Sequence, residues 1–373
     1  MTAAEETDRA GRSVYVVMPG DVDDVTVPSG GNTYDRQVCQ GLAAIGWFVR
    51  QVLVTGSWPR PDRAARATLD RSLAALPDDA LVLVDGLVAC GVPDVLVPHA
   101  DRLRLLVLVH MPLVDDPALP AAVATELDSR ERETLLAARG VVTTSPWSAG
   151  RLIDHHGLEP DQVHVVRPGT EPAPIAPGTN GMSRLLCVAA VTPGKGQDLL
   201  IEALSAVSDQ FWCCLLVGSV RRDPAFVDRL RHTIQQRGLS HRVQLVGPST
   251  GDRLAALYAA ADLLVLATRS ETYGMVATEA LARGIPVLAT AAGALPETLG
   301  ATPDGTVPGL LVPPDDASAF AAALRRWFAE PDLRQRLRRA ALQQRGGLTG
   351  WADTARTLAG VLAQLRQPSQ EPV

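Results

Sequence analysis

RLLCVAAVTPGKGQDLLIEALSAV, residues 184–207, decides how the chain folds. After Arg184 its first run, LLCVAAV, is continuously apolar, the pattern of a strand buried on both faces. Its last run, QDLLIEALSAV, sets apolar side chains at 199, 200, 203, 204 and 207, one face of an α-helix. TPGKG (192–196) is then a strand-to-helix turn, where free N–H groups and the helix dipole converge. Lys195 in this turn is the only lysine among 35 basic residues, so a single ammonium stands beside an anion-friendly helix start. The turn is not a P-loop, which requires GxxxxGK[ST]: Gly196 follows the lysine and Ala189 replaces the leading glycine. Read alone, Lys195 is either a phosphate ligand or a solvated surface residue.

The same alternation continues on both sides. Upstream, SVYVVM (13–18), VRQVLV (49–54), ALVLVD (80–85), LRLLVLV (103–109), GVVTTS (140–145) and VHVV (163–166) are strand candidates. Helix-period runs such as TYDRQVCQGLAAIG, PDRAARATLDRSLAAL and SRERETLLAAR lie between them. Downstream come FWCCLLVG, VQLVG, LLVLAT, PVLAT and GLLV, with helices expected at 224–238, 252–261 and 275–283. Continuous apolar strands joined by crossover helices mean parallel sheets covered on both faces. The breaker-rich RPGTEPAPIAPGTNGMS (167–183), with four prolines and three glycines, reads as a linker. The expected organisation is therefore a disordered segment 1–12, a Rossmann-like domain 13–168, a linker 169–183, a second Rossmann-like domain 184–349, a last helix within 350–366 and a tail 367–373. In such α/β domains ligands bind beyond the carboxyl ends of the strands.

Composition narrows the function. A net charge of −6 argues against nucleic acid as the main partner. Residues 1–170 hold 15 Arg and 23 acidic residues, a net of −8; the remainder holds 20 and 18, a net of +2, so the second half suits a phosphorylated ligand better. Five cysteines in mostly apolar surroundings, without CxxC or Cys/His spacing, predict buried thiols in a reducing cytosol. No signal peptide and no membrane-length apolar run is visible, so a cytoplasmic location is expected; a membrane surface has no support.

A second constellation lies in ATRSETYGMVATEALARGIPVLA. Glu271 stands in the turn after LLVLAT, Tyr273-Gly274-Met275 opens a helix, and Glu279 follows on it, eight positions beyond the first glutamate. Carboxylates accept from vicinal hydroxyls, and helix-start amides donate to phosphate oxygens. A ligand with two diols flanking a diphosphate, a nucleotide sugar, fits all three. The plainer reading is a helix-start acid followed by a solvated helix glutamate.

SETYGMVATEALARGIPVLAT with the following AAGALPE resembles the E-x7-E signature of retaining glycosyltransferases of family 4, which have the GT-B fold. SGGNTYDRQVCQGLAAIGW (29–47) is similar to that family's glycine loop, VHMPL (109–113) to its cleft histidine, VVRPGTEPAPIAPG to its entry to the linker, and VTPGKG to its lysine-glycine turn. The resemblance spans residues 13–365. It implies an α/β GT-B architecture of two doubly wound Rossmann-like domains facing across a cleft, with the last helix crossing back to the first domain. It implies that Glu279 holds the ribose hydroxyls and Glu271 the transferred sugar. The Gly274 and Met275 amides, with Lys195, would hold the diphosphate, and Gly196, Thr272 and Tyr273 would belong to the donor-binding set. Gly30 and Gly31 would let the N-terminal loop close over the donor, and His110 would sit beside the reacting sugar, making His110, Lys195 and Glu271 the catalytic set.

One departure matters. Ala190 stands where the family has an arginine paired with the lysine, and Arg221 or Arg222, in the loop after FWCCLLVGS, are the candidate substitutes for the diphosphate contact. Ala294 in AAGALPE replaces a common second glycine. Asn32 and Asp85 are candidates for the acceptor side, although Asp85 more simply caps the next turn. DVDD (21–24) imitates a metal motif of a different glycosyltransferase fold but reads as a solvated loop. His155-His156 before Gly157 suits a helix end, with no partner residues for a metal in view. Ser145-Pro146 reads as a helix start.

The expected function is a metal-independent retaining glycosyltransferase, without cofactor, using a nucleotide-diphosphate sugar and a small-molecule or lipid-linked acceptor. On the family's account the acceptor attacks from the front face and the leaving diphosphate takes its proton. The alternatives are a nucleotide-sugar-binding pseudoenzyme, motivated by Ala190, and a sugar-nucleotide epimerase on the same plan. A dinucleotide oxidoreductase is disfavoured because neither half has a GxGxxG turn. Nothing in the sequence sets an oligomeric state.

Overall fold

The computed structural model describes residues 12–115 and 119–366. Residues 1–11 of the expected N-terminal segment, and the expected tail 367–373, lie outside the described residues. The chain divides into two compact units: Met1–Asp23, Gly31–Gly169 and Trp351–Val373 make one, Asp24–Gly30 and Thr170–Gly350 the other.

The first unit carries a six-stranded parallel sheet in the order β2-β1-β3-β4-β5-β6. Its strands are β1 (Ser13–Pro19), β2 (Phe48–Val54), β3 (Leu81–Asp85), β4 (Arg104–Val109), β5 (Gly140–Thr143) and β6 (Val163–Val165). β3 is buried at every residue, as its unbroken LVLVD composition requires of a strand with helices on both faces. One apolar layer centres on Leu69, Val84, Val107 and Leu135, the other on Val16, Leu83, Leu106 and Val142. Helix Trp351–Arg366 completes the second layer through Leu358 and Leu362. The Thr354 hydroxyl donates to the Arg167 carbonyl at 2.9 Å, and Arg139 Nε to the Leu365 carbonyl at 3.0 Å. The last helix thus belongs to the first unit, as the family resemblance implies.

The second unit has β7 (Arg184–Val188), β8 (Cys213–Val217), β9 (Val243–Gly247), β10 (Leu263–Leu266), β11 (Val287–Thr290) and β12 (Gly309–Val312), ordered β12-β11-β10-β7-β8-β9 and all parallel. Each sheet is thus of the open, doubly wound kind. In each the strand order reverses once, between β1 and β3 in the first and between β7 and β10 in the second. Loops leaving the sheet there part and leave room for a ligand.

Two helices, Ala317–Ala329 and Pro331–Gln344, follow β12, and the sequence reading named neither. Phe320, Leu324, Trp327 and Phe328 bury one face of the first, which packs on helix Gln197–Ala206, β11 and β12. Ser145 caps helix Pro146–His156 by accepting from the Ser148 amide at 3.0 Å, as the Ser-Pro pair predicts. Among the described residues no helix is long and apolar enough to cross a membrane, and all five cysteines are free.

Candidate active site

In the second unit the switch point gathers the residues singled out from the sequence. β7 leads through Ala189–Thr192 into the short turn Pro193–Lys195, and helix Gln197–Ala206 follows at once. Gly196 makes this possible: its φ is +64°, and a Cβ there would stand 1.9 Å from the Ala267 carbonyl oxygen. From the neighbouring strand β10 the chain runs to Arg269, Glu271 and Gly274. Gly274 has φ +90°, and a Cβ there would meet Leu295 Cδ2 at 2.6 Å. It begins helix Met275–Leu281 without a side-chain cap, and the first N–H groups of a helix have no partner within it.

Lys195 Nζ lies 2.8 Å from Glu271 Oε2. Neither is sealed away, with side chains 34% and 16% exposed, so the cation can exchange this carboxylate for another anion. Arg269, which the sequence reading passed over, fixes the turn beneath. Its amide donates to the Gly194 carbonyl at 2.8 Å, and its guanidinium to the Pro193 carbonyl. The same guanidinium forms a bidentate pair with Asp198, both bonds 2.9 Å, and meets Asp315 at 2.7 Å. Two carboxylates thus occupy this arginine. Ala190, at the place of the expected clamp arginine, accepts from Gln197 Nε2 at 2.9 Å through its carbonyl. The Val191 amide donates to the Ser219 carbonyl at 2.9 Å, which lays the Arg221–Arg222 loop alongside this segment. Both arginines are exposed, and Arg221 donates to Thr26 at 3.2 Å.

Glu279 accepts from the Tyr258 hydroxyl at 2.7 Å, and the Arg283 guanidinium lies over the Tyr258 ring at 4.6 Å. Burial pushes the Glu279 carboxyl above its usual range, against the Tyr258 bond and the Arg283 charge. Tyr258 is a second residue that sequence reasoning missed. Thr272 and Tyr273 sit half-buried between the two glutamates; the Tyr273 carbonyl accepts from the Thr298 hydroxyl at 2.5 Å. The Ala294 amide donates to the Glu271 carbonyl at 2.8 Å, so AAGALPE buttresses the motif even with alanine at 294. Gly30 is grouped with this unit, where a Cβ would stand 3.5 Å from Met275 Sδ.

The first unit builds a different cluster at the carboxyl edge of its sheet. His110 follows β4, Asp85 ends β3, and Asp35 lies on helix Gly30–Ala44 with Gly31, Asn32 and Tyr34. His110 Nε2 is 2.8 Å from Asp35 Oδ1 and 3.5 Å from Asp85 Oδ2. Asp85 also accepts from the Leu87 amide at 2.6 Å, the capping role expected of it. The Tyr34 ring meets His110 edge-on, centroids 5.3 Å apart, and donates its hydroxyl to the Val166 carbonyl at 3.0 Å. Burial and the facing Asp35 charge push the Asp85 carboxyl up to about 8. For His110, burial acts downward, but the Asp35 charge and bond, helped by Asp85, raise it to about 9. Asp35 was not anticipated; its signal was an acid within the helix's buried stripe of Tyr34, Val38, Cys39 and Leu42.

Two groups among the described residues bring three possible metal ligands within 4.8 Å: this one, and Asp128 with His155 and His156. The second corrects the sequence reading that the histidine pair has no partners. His155 Nε2 pairs with Asp128 at 2.6 Å, and buried His156 Nε2 with Glu131 at 3.2 Å. The folding of helix Ala121–Ala137 against helix Pro146–His156 creates both contacts, which no local spacing announces. DVDD belongs to no such group; Asp24 accepts from the Thr26 amide at 2.8 Å.

Residues 179–344 match the family described as glycosyl transferases group 1. Over 292 residues the chain is 31% identical to D-inositol 3-phosphate glycosyltransferase 1 of Catenulispora acidiphila, covering 73% of this chain and 66% of that protein. The chain spans between about half and two thirds of the length of the curated relatives it matches. Sucrose-phosphate synthase of Thermosynechococcus elongatus has a similar structure, with a TM-score of 0.78 and 25% identity over 95% of this chain and 99% of that one. Anabaena HepE in complex with UDP-glucose shares the fold at a TM-score of 0.73 and 17% identity, covering 94% and 99% of the two chains. The chain therefore belongs to the group 1 glycosyl transferases and has the two-domain GT-B fold, the family-4 kind that its E-x7-E run resembles.

Proposed function

We propose that this protein is a retaining glycosyltransferase that takes a sugar from a nucleoside-diphosphate donor and passes it to a hydroxylated acceptor, without a metal. The observation that carries the reading is the Lys195–Glu271 pair at the switch point of the second sheet, with Glu279 on the helix that starts beside it. The donor's diphosphate replaces Glu271 as the partner of Lys195 and takes helix-start N–H bonds from the Gly274–Met275 turn. Glu271, released, accepts from hydroxyls of the sugar. Glu279, already oriented by Tyr258, accepts from the ribose diol. As the glycosidic bond breaks, negative charge grows on the leaving diphosphate oxygen, where a fixed cation and aligned amides stabilise it most. The diphosphate then takes the proton of the attacking hydroxyl.

UDP-glucose is the donor to try first, because Anabaena HepE is solved with it. A phosphorylated cyclitol heads the acceptor panel, because the Catenulispora relative is named for D-inositol 3-phosphate. Five free cysteines favour a reducing, cytoplasmic setting. The test is turnover of isotope-labelled nucleotide sugars across acceptors, with and without EDTA, and the product's anomeric configuration read by NMR. Transfer with retention in EDTA supports the reading. Tight donor binding without transfer would make the protein a binder, and sugar epimerised without acceptor would make it an epimerase.

A further inference from the structure

We propose that Asp35 is a positioning residue: from the buried face of helix Gly30–Ala44 it fixes the ring of His110 and keeps that ring a cation. Burying an unpaired charge is costly. Asp35 is 1% exposed, and its Oδ2 is buried without a hydrogen-bond partner among the described residues. A carboxylate so placed is stable only against a counter-charge, because low-dielectric surroundings leave water no part in screening it. Among the described residues no lysine or arginine pairs with Asp35; its ionic partner is His110 Nε2, at 2.8 Å.

The helix is shaped to make this contact. Gly31, one turn before Asp35, approaches so closely that a Cβ would stand 3.1 Å from His110 Cδ2. Tyr34 holds the ring by its edge. The other titratable groups around the site stay neutral. Burial, then the Asp35 charge, pushes the Cys39 thiol up to about 12 and the Tyr34 phenol well above its ordinary value. Burial, then Glu131 and Asp85, does the same to Cys90. Burial and Asp35 hold the Asp85 carboxyl up at about 8 and His110 is held up at about 9, so near neutrality both keep their protons. With Nε2 turned onto two carboxyl groups, His110 is a fixed cation and not a proton acceptor through that nitrogen. The meaning of this for sugar transfer rests on the glycosyltransferase reading; the protonation state does not.

The test is direct titration. The ring nitrogens of the seven histidines are followed by NMR in full-length protein labelled with 15N-histidine, between about pH 5 and 10. The His110 signal is identified by its loss in His110→Gln. We expect His110 to remain protonated at pH 8, Asp35→Asn to lower its midpoint by about one pH unit or more, and Asp35→Glu to restore much of the difference. A His110 midpoint near the ordinary 6.5, or one that Asp35→Asn leaves unmoved, overturns the proposal. If Asp35→Asn does not fold, the wild-type midpoint and Asp35→Glu decide. A midpoint that shifts when EDTA is added would mean the three side chains hold a metal, which also overturns it. None of these readings needs turnover. Failure of the titration therefore leaves the transferase reading standing, and the role of Asp35 can be tested even in a protein that moves no sugar.

Discussion

The carboxyl edges of the two sheets handle charge in opposite ways. In the first unit two buried acids, Asp35 and Asp85, only 1% and 5% exposed, close on His110, whose side chain is 20% exposed. In the second, Lys195 and Glu271 meet at the same distance, 2.8 Å, but remain reachable by solvent. A sealed cluster fixes protonation states, because a proton lost there leaves a charge with nowhere to go. An accessible pair is weakly held and can change partners at little cost. The lesson is that equal hydrogen-bond lengths do not mean equal roles: the first edge is built to keep its charges, the second to exchange them.

The sharpest way to break this contrast is Lys195→Ala. If the pair exists to be exchanged for a diphosphate, turnover should fall roughly 10²–10³-fold, the usual cost of removing one transition-state stabiliser. Because Ala190 supplies no second cation, the upper end of that range is expected. Stability should change by less than about 1 kcal/mol, since a half-exposed ion pair contributes little. Wild-type turnover would make the pair ornamental. A mild loss that becomes severe in a double variant with Arg221 or Arg222 would show those arginines sharing the charge.

The two glutamates sharpen it next. Glu279→Ala should weaken nucleoside diphosphate and donor alike, by about 1.5–3 kcal/mol per charged bond lost. Glu271→Ala should spare the nucleoside diphosphate, and by freeing Lys195 even tighten it, while weakening the sugar-bearing donor. Calorimetry with both ligands separates the cases, and equal losses in both variants would mean their roles are interchanged. A smaller effect is expected at Arg269. Its removal frees the Pro193–Lys195 turn from Asp198 and Asp315 without touching a ligand. We expect kcat to drop about tenfold with binding of the nucleoside diphosphate nearly intact, as loosened positioning predicts.

Much of this was legible in the chain. Every strand of both sheets showed as a short β-rich run, and inner strands such as β3 as nearly continuous apolar runs, because strands buried on both faces need apolar residues. The Lys195 turn and the Glu271–Glu279 spacing were also readable, since each is a local device of strand end and helix start. Contacts closed by the fold were not. Arg269 meets Asp198 across 71 positions and Asp35 meets His110 across 75, and no periodicity records such distances. Asp35 left one trace, an acid in a stripe that packing alone would make apolar. Helices Ala317–Ala329 and Pro331–Gln344 were not singled out in the sequence, and only Glu330 stands between them.

The last expected effect probes the buried edge through stability. Asp85 is moved from its ordinary 3.8 up to about 8 by burial and then by Asp35, so the folded protein binds its proton where the unfolded chain has released it. A group whose folded value is raised contributes stability that is complete at low pH and lost as pH climbs through the folded value. His110, raised to about 9, acts in the same direction at the alkaline end. The cluster should therefore make the protein less stable as pH rises from about 4 to 9, Asp85 acting up to about 8 and His110 from about 6.5 to 9, by at most about 1.4 kcal/mol per pH unit for each proton concerned. Asp85→Asn keeps an oxygen for the Leu87 amide and removes the titrating proton. Its urea-melt stability should exceed that of wild type by a margin that widens from pH 5 to pH 8.5. Parallel pH curves for the two proteins would mean that Asp85 is an ordinary, ionised cap, and that the first edge is as open as the second.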